Sequence, residues 1–100
     1  MAYDLSIIFE AKQDVDETVL WYEDQQTGLG IHFHFDVLEG FEKLKKHPHN
    51  YSFFREDYRQ LILKHFPFKI VFKISLKRVT VLGVFHTSRN MNELFKRGIK

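Results

Sequence analysis

The residues of this chain best suited to chemistry are cations and imidazoles, and the cations gather in one half. Residues 51–100 hold eleven lysines and arginines against three acids, net +8, whereas residues 1–50 hold four against ten, net −6. A surface built from the second half can meet an anionic partner, either nucleic acid or an acidic protein. The stretch "HFPFKIVFKI", residues 65–74, sharpens the point. Its apolar residues fall at Phe66, Phe68, Ile70, Phe72 and Ile74, and the positions between them include Lys69 and Lys73. That two-residue period is a strand with one buried face and lysines on the other. Lysines so placed also guard a sheet against pairing with another chain, so the charge pattern alone leaves both readings open.

Other chemistries fail on residue type or spacing. The chain has no cysteine, which excludes disulfides and thiolate metal sites. "HFH" at 32–34 resembles a metal pair, but two positions apart on a helix is about 200° of rotation. "HPH" at 47–49 lies in a loop without an obvious carboxylate to complete a site and reads as solvated surface. "GLG" at 28–30 is a turn and helix start, because no G-x-x-x-x-G-K-S/T pattern follows a strand. No apolar run is long enough to span a bilayer, and "MAYDLSIIFE" lacks the basic-then-apolar plan of an export signal. The expectation is a soluble, cytoplasmic protein needing neither metal nor cofactor.

The elements that must position the cations follow from periodicity. With 44% hydrophobic residues and eleven phenylalanines, residues 1–100 suit one domain with an aromatic core. "YDLSIIF" alternates Tyr3, Leu5, Ile7 and Phe9 and predicts a first strand. From Glu10 to Gln26 the period becomes helical, with Ala11, Val15, Val19 and Tyr22 on one stripe and acids opposite. "TGLG" breaks this helix. A second follows on the stripe Phe33, Val37, Phe41 and Leu44, ending in Lys43, Lys45, Lys46 and His47 before Pro48. So short a link makes the two helices antiparallel neighbours. Residues 50–57 read as loop. Three strands near 58–65, 67–75 and 78–86 then have links too short for parallel crossovers and form a meander. The fold class is therefore α+β in the order βααβββ, a helical hairpin packed on a small antiparallel sheet. Phe33, Val37, Phe41, Ile70, Phe72 and Val81 should be buried, Trp21 should pack in the core against the second helix or else serve an interface, and "MNELFKR" should add at most a helical turn.

These pieces, in this order, resemble a known family. Ala11, "DVDE", "WYE", "GLG", Phe33, Leu44, Pro48, Arg59, "FPFKIVFKI", "VTVLGVFH" and Arg89 look like the RelE/ParE superfamily, the toxins of bacterial type II toxin–antitoxin modules. The likeness runs over residues 3–90. The strand "FPFKI" and the terminal "HTSR" resemble the ParE-like branch more than the mRNA-cleaving RelE branch.

The resemblance implies a working surface on the exposed side of the sheet and at its C-terminal end. Arg59, Lys64, Lys69, Lys73, His86 and Arg89 would form one basic patch there, although Arg59 could equally pair with Glu56 or Asp57. Three functions then stand open. A ParE-like toxin binds and inhibits DNA gyrase without being an enzyme. A RelE-like toxin cleaves ribosome-bound mRNA, which needs an acid, a base and cations around the phosphorane. Arg59, Lys64, His65, His86 and Arg89 are the candidates for those roles, but each histidine alone also reads as ordinary surface. Phe68 and Phe72 replace tyrosines frequent in the family, and no tyrosine follows Arg89, which weakens the nuclease reading. A degenerate member would only bind its antitoxin. In all three the implied partner is a cognate antitoxin, covering the basic C-terminal region and part of two apolar surfaces, one with Leu20, Trp21 and Phe35 on the helices and one a sheet face with Leu82, Val84, Val71 and Ile62. The assembly would be a homodimer or a toxin–antitoxin hetero-oligomer.

Overall fold

A computed structural model describes residues 2–89. It runs β1 (Asp4–Ile7), α1 (Phe9–Gln25), α2 (Leu29–Lys46), a 3-10 turn (Pro48–Asn50), β2 (Phe53–Arg55), β3 (Tyr58–Ile62), β4 (Phe68–Ser75) and β5 (Arg78–His86). The expected order is present, with β2 as an extra short strand inside the stretch read as loop. Phe9 begins α1 instead of ending β1, and its side chain is exposed. No described helix is long and apolar enough to cross a membrane. The "MNELFKR" expectation lies outside the described residues.

Two glycines and one acid set the helical hairpin. Gly28 has φ +90°, a left-handed conformation that costs a side-chain-bearing residue about 1–2 kcal/mol. Gly30 lies so close to α1 that a Cβ there would sit 2.5 Å from the Val19 carbonyl oxygen. Glu23 closes the corner: its carboxylate accepts from the Gly28 N–H at 3.0 Å and the Gly30 N–H at 3.1 Å. It thereby satisfies amides that the start of α2 leaves without partners. Lys43, Lys45 and Lys46 occupy the last turn of α2, where cations suit the helix dipole.

The sheet order is β1-β5-β4-β3-β2. β3, β4 and β5 form the expected antiparallel meander and β2 adds to it antiparallel at the edge, but β1 pairs with β5 in parallel, Asp4↔Arg78 through Ile7↔Val81, so the sheet is mixed. The whole chain between β1 and β5 serves as the crossover, and Tyr3 N–H donates to the Lys45 carbonyl at 2.8 Å to anchor β1 under the end of α2. Along β4 and β5 the register steps from Val71↔Gly83 to Phe72↔Val81, leaving Leu82 as an extra residue. Asp14 on α1 accepts from the Val84 N–H at 3.1 Å beside this bulge.

The sheet therefore has two apolar faces. Against the helices lie Phe33, Val37, Leu44, Ile70, Phe72, Val79 and Val81, with Phe41 at the margin, so all six residues expected in the core are there. Tyr22, Phe33, Phe66 and Phe68 form a ring cluster with centroids 4.9–6.1 Å apart, a spacing at which edge-to-face pairs attract. On the far side Tyr58, Val71, Leu82 and Phe85 make a second cluster, with Ile8 and Phe54 against it. Leu82 and Val84, read as one face, are on opposite faces because of the bulge. Trp21, expected in the core, is 58% exposed and meets the Tyr22 ring edge-on at 5.1 Å.

Asp36 fastens the hairpin to the sheet. Its carboxylate accepts from the His65 and Phe66 backbone N–H groups at 2.9 and 3.1 Å, holding the β3–β4 turn against α2. Replacing Phe72, fully buried, with alanine should lower unfolding free energy by about 3–5 kcal/mol in urea titrations. Asp36→Ala should cost about 1–3 kcal/mol, since it strands two amides without an acceptor. His65→Ala should cost less, because that side chain is 62% exposed.

Candidate functional site

The side of the sheet away from the helices is where the strands bring cations together. Cross-strand partners share a face, so the pairs Ile62↔Lys69, Gln60↔Val71, Lys69↔Phe85 and Lys73↔Thr80 identify its members. Three cations on this side rest on rings. Lys69 Nζ lies 5.9 Å from the Phe54 centroid, Lys73 Nζ 5.4 Å from Tyr58, and the Arg89 guanidinium 5.3 Å from Phe85. Contacts of this kind give about 0.5–1 kcal/mol each at exposed sites. Their larger consequence is positional, since they hold long side chains over the second apolar cluster and reduce the entropy lost on binding. Lys73 also meets Asp57 at 3.4 Å, a surface pair of small energy.

The remaining candidates are elsewhere, and the single patch expected for all of them is not what the strands build. Arg59 is opposite Phe72 in the register and so belongs to the helix side. Its Nη1 donates to the carbonyl oxygens of Tyr51 at 2.7 Å and His49 at 3.4 Å, and its guanidinium stacks 3.9 Å from the Phe53 ring. It clamps the 3-10 turn. Neither Glu56 nor Asp57 is its partner: they pair with Arg55 and Lys73. Lys64 is exposed in the β3–β4 turn.

The two histidines are separated from the cation face. His65 Nδ1 lies 3.0 Å from Asp36 Oδ1; a carboxylate facing Nδ1 puts the proton on that nitrogen and leaves Nε2 as an acceptor toward solvent. His86 stands edge-on to Phe68 at 5.3 Å, on the helix side. Its Nδ1 accepts from the Ser88 N–H at 3.1 Å and lies 2.8 Å from Ser88 Oγ, an arrangement that leaves the ring proton on Nε2. The cause of its placement is the bulge: strict alternation from Leu82 would bring Val84 and His86 to the cation face, and the extra residue reverses both.

Asp36 is the functional-group residue the sequence reading missed. Its signal was an acid within the apolar stripe of α2, one position before Val37 and three after Phe33. His32 and His34 diverge as a helix requires, lining different clefts. Among the described residues no three histidines or carboxylates are placed to hold a metal ion.

No protein-family model and no curated protein matches the chain. Solved structures do match it. A structure of the chromosomal ParDE toxin–antitoxin system from P. aeruginosa aligns with TM-score 0.76 and 18% identity, over 85% of this chain and 96% of that one. The toxin–antitoxin complex RelBE2 from Mycobacterium tuberculosis gives 0.62 and 14%, over 86% and 99%. A mutant of the E. coli toxin RelE in the free state gives 0.57 and 14%, over 96% and 93%. What is shared at such identities is the path of the backbone. The helical hairpin on a five-stranded mixed sheet seen in this chain is the fold of the RelE/ParE toxins.

Proposed function

We propose that this chain is the toxin of a type II toxin–antitoxin module, and that it works by binding, with DNA gyrase as its target in the manner of ParE. The observation that carries the reading is the row of three cations on three rings, Lys69 on Phe54, Lys73 on Tyr58 and Arg89 on Phe85. Such a face offers charge and shape to an anionic protein surface. Among the described residues neither histidine is on it, so it lacks the imidazole that proton transfer to a phosphorane would most readily use. The likeness to the ParDE structure supports the same branch. Gyrase in a bacterial cell would place the protein in the cytoplasm.

A second reading has its own observation. His65, oriented by Asp36 with Nε2 free, is placed beside Lys64 in the chain, and an oriented imidazole next to an amine is the arrangement of a general base with a cation at hand. That pair would serve a RelE-type mRNA endoribonuclease, with Arg59 excluded by its structural duty. Partner binding is supported by the helices, where Leu20, Ile31, Phe35 and Leu38 are 67%, 52%, 58% and 42% exposed. Apolar groups so grouped on a small protein mark an interface, here with an antitoxin.

Expression of the chain should arrest bacterial growth, and co-expression of the antitoxin should relieve the arrest. Purified protein should inhibit gyrase supercoiling and leave ribosome-bound mRNA uncut; cleavage abolished by His65→Ala would establish the second reading instead. Soluble expression without arrest would leave a protein that only binds antitoxin. Arg89→Ala should abolish gyrase inhibition while changing stability by less than about 1 kcal/mol, because Arg89 is exposed and lies beyond the end of β5. Lys12→Ala, on the acidic half, should change neither.

A further inference from the structure

Between the middle of α1 and the ends of β4 and β5 opens a cavity of about 430 Å³, lined by Glu17, Thr18, Trp21, Tyr22, Phe68 and His86. Its walls are mostly rings. Tyr22 and Phe68 are held by the core cluster, 6.1 Å apart, and Phe68 in turn braces His86 at 5.3 Å. Burial pushes the Tyr22 phenol above its usual range, so this wall stays neutral. Trp21 meets Tyr22 edge-on at 80° and remains 58% exposed, which leaves indole surface open. Thr18 Oγ1 already donates to the Asp14 carbonyl at 2.7 Å.

Glu17 is the single carboxylate of the lining. Its neighbours along α1 include Asp14 and Asp16, in the half of the chain with net charge −6. No hydrogen bond or ion pair engages Glu17 among the described residues. Rings whose faces carry partial negative charge, closed on one side by a carboxylate, are the environment that stabilises an organic cation. Between the two cationic side chains, a guanidinium fits better: it is planar, stacks on indole and can bond a carboxylate through two N–H groups at once.

We propose that this cavity receives an arginine side chain from the partner protein, stacked against Trp21 and paired with Glu17. The proposal rests on the reading that a partner protein covers the helical side. It assigns that partner a basic contact here, while the cation face across the sheet stays available to a target. The acidic character of α1 supplies the complementarity, and it disfavours a nucleic-acid phosphate in the same place.

The chain has one tryptophan, so its fluorescence reports on this cavity directly. Titration with N-acetyl-arginine methylamide should give a saturable change with Kd on the order of 10 mM, the range expected of one anchored side chain. The neutral isostere N-acetyl-citrulline methylamide should give at least tenfold weaker binding. Glu17→Gln, at an exposed position, should fold with unchanged Tm and lose about tenfold in affinity for the arginine probe alone. Equal binding of citrulline, or stronger binding of N-acetyl-phenylalanine methylamide, would overturn the proposal in favour of a neutral or apolar occupant. So would the absence of any saturable change, or an affinity for arginine indifferent to Glu17→Gln. These titrations need neither gyrase nor antitoxin, so their failure is separate from a failure of the growth and supercoiling assays.

Discussion

A single extra residue in β5 decides how this molecule presents its chemistry. In the register of β4 with β5, Val71 faces Gly83 and Phe72 faces Val81, so the pairing steps over Leu82. A bulge of this kind reverses the side-chain alternation of everything beyond it. Val84 turns toward the helices, Phe85 toward the far side, and His86 back to the cavity beside Phe68. The Val84 N–H beside the bulge donates to Asp14 of α1, so the helix that packs over the sheet also braces its irregular strand. Without the bulge, Phe85 could not serve as the platform for Arg89.

The two faces produced in this way have different duties. The helix side is a conventional core, with Ile70, Phe72, Val79 and Val81 fully buried under α1 and α2, and most of the stabilising apolar burial is there. The far side carries a smaller cluster, roofed by lysine and arginine stems whose charged ends remain at the surface. Long cationic side chains cover apolar area while keeping their charge in water. One surface can thus cover apolar area in the free protein while keeping its positive charge in water.

Carboxylates do the joining. Glu23 ties α1 to the start of α2 through Gly28 and Gly30, Asp36 ties α2 to the β3–β4 turn, and Asp14 ties α1 to β5. All three accept from backbone N–H groups that regular hydrogen-bond ladders leave over, and charge-assisted bonds of this type are stronger than neutral ones. Part of the acidity of the first half is therefore internal architecture. The ParDE, RelBE2 and RelE structures share this backbone plan with the present chain; a shared fold hosts different activities, and the side chains on its surface select among them.

Much of the architecture was legible in the residues themselves. The helical stripe of Phe33, Val37, Phe41 and Leu44, the break at "TGLG" and the two-residue period of "FPFKIVFKI" are local patterns, and local periodicity specifies local structure. The face carrying Lys69 and Lys73 followed from that period alone. Tertiary structure was needed wherever a residue's role depends on a neighbour distant in the chain. The parallel pairing of β1 with β5 joins residues more than seventy positions apart. Arg59 became a clamp because the 3-10 turn folds back onto it, and His65 became oriented because Asp36 arrives from α2. Trp21 stayed at the surface because Tyr22, the next residue, already fills the place among Phe33, Phe66 and Phe68. The bulge at Leu82 left one local mark, Gly83 inside a run of β-formers, but "VTVLGVFH" alternates acceptably in either register. Only the packing of Val81 and Val84 on one side, with Leu82 and Phe85 on the other, chooses between them.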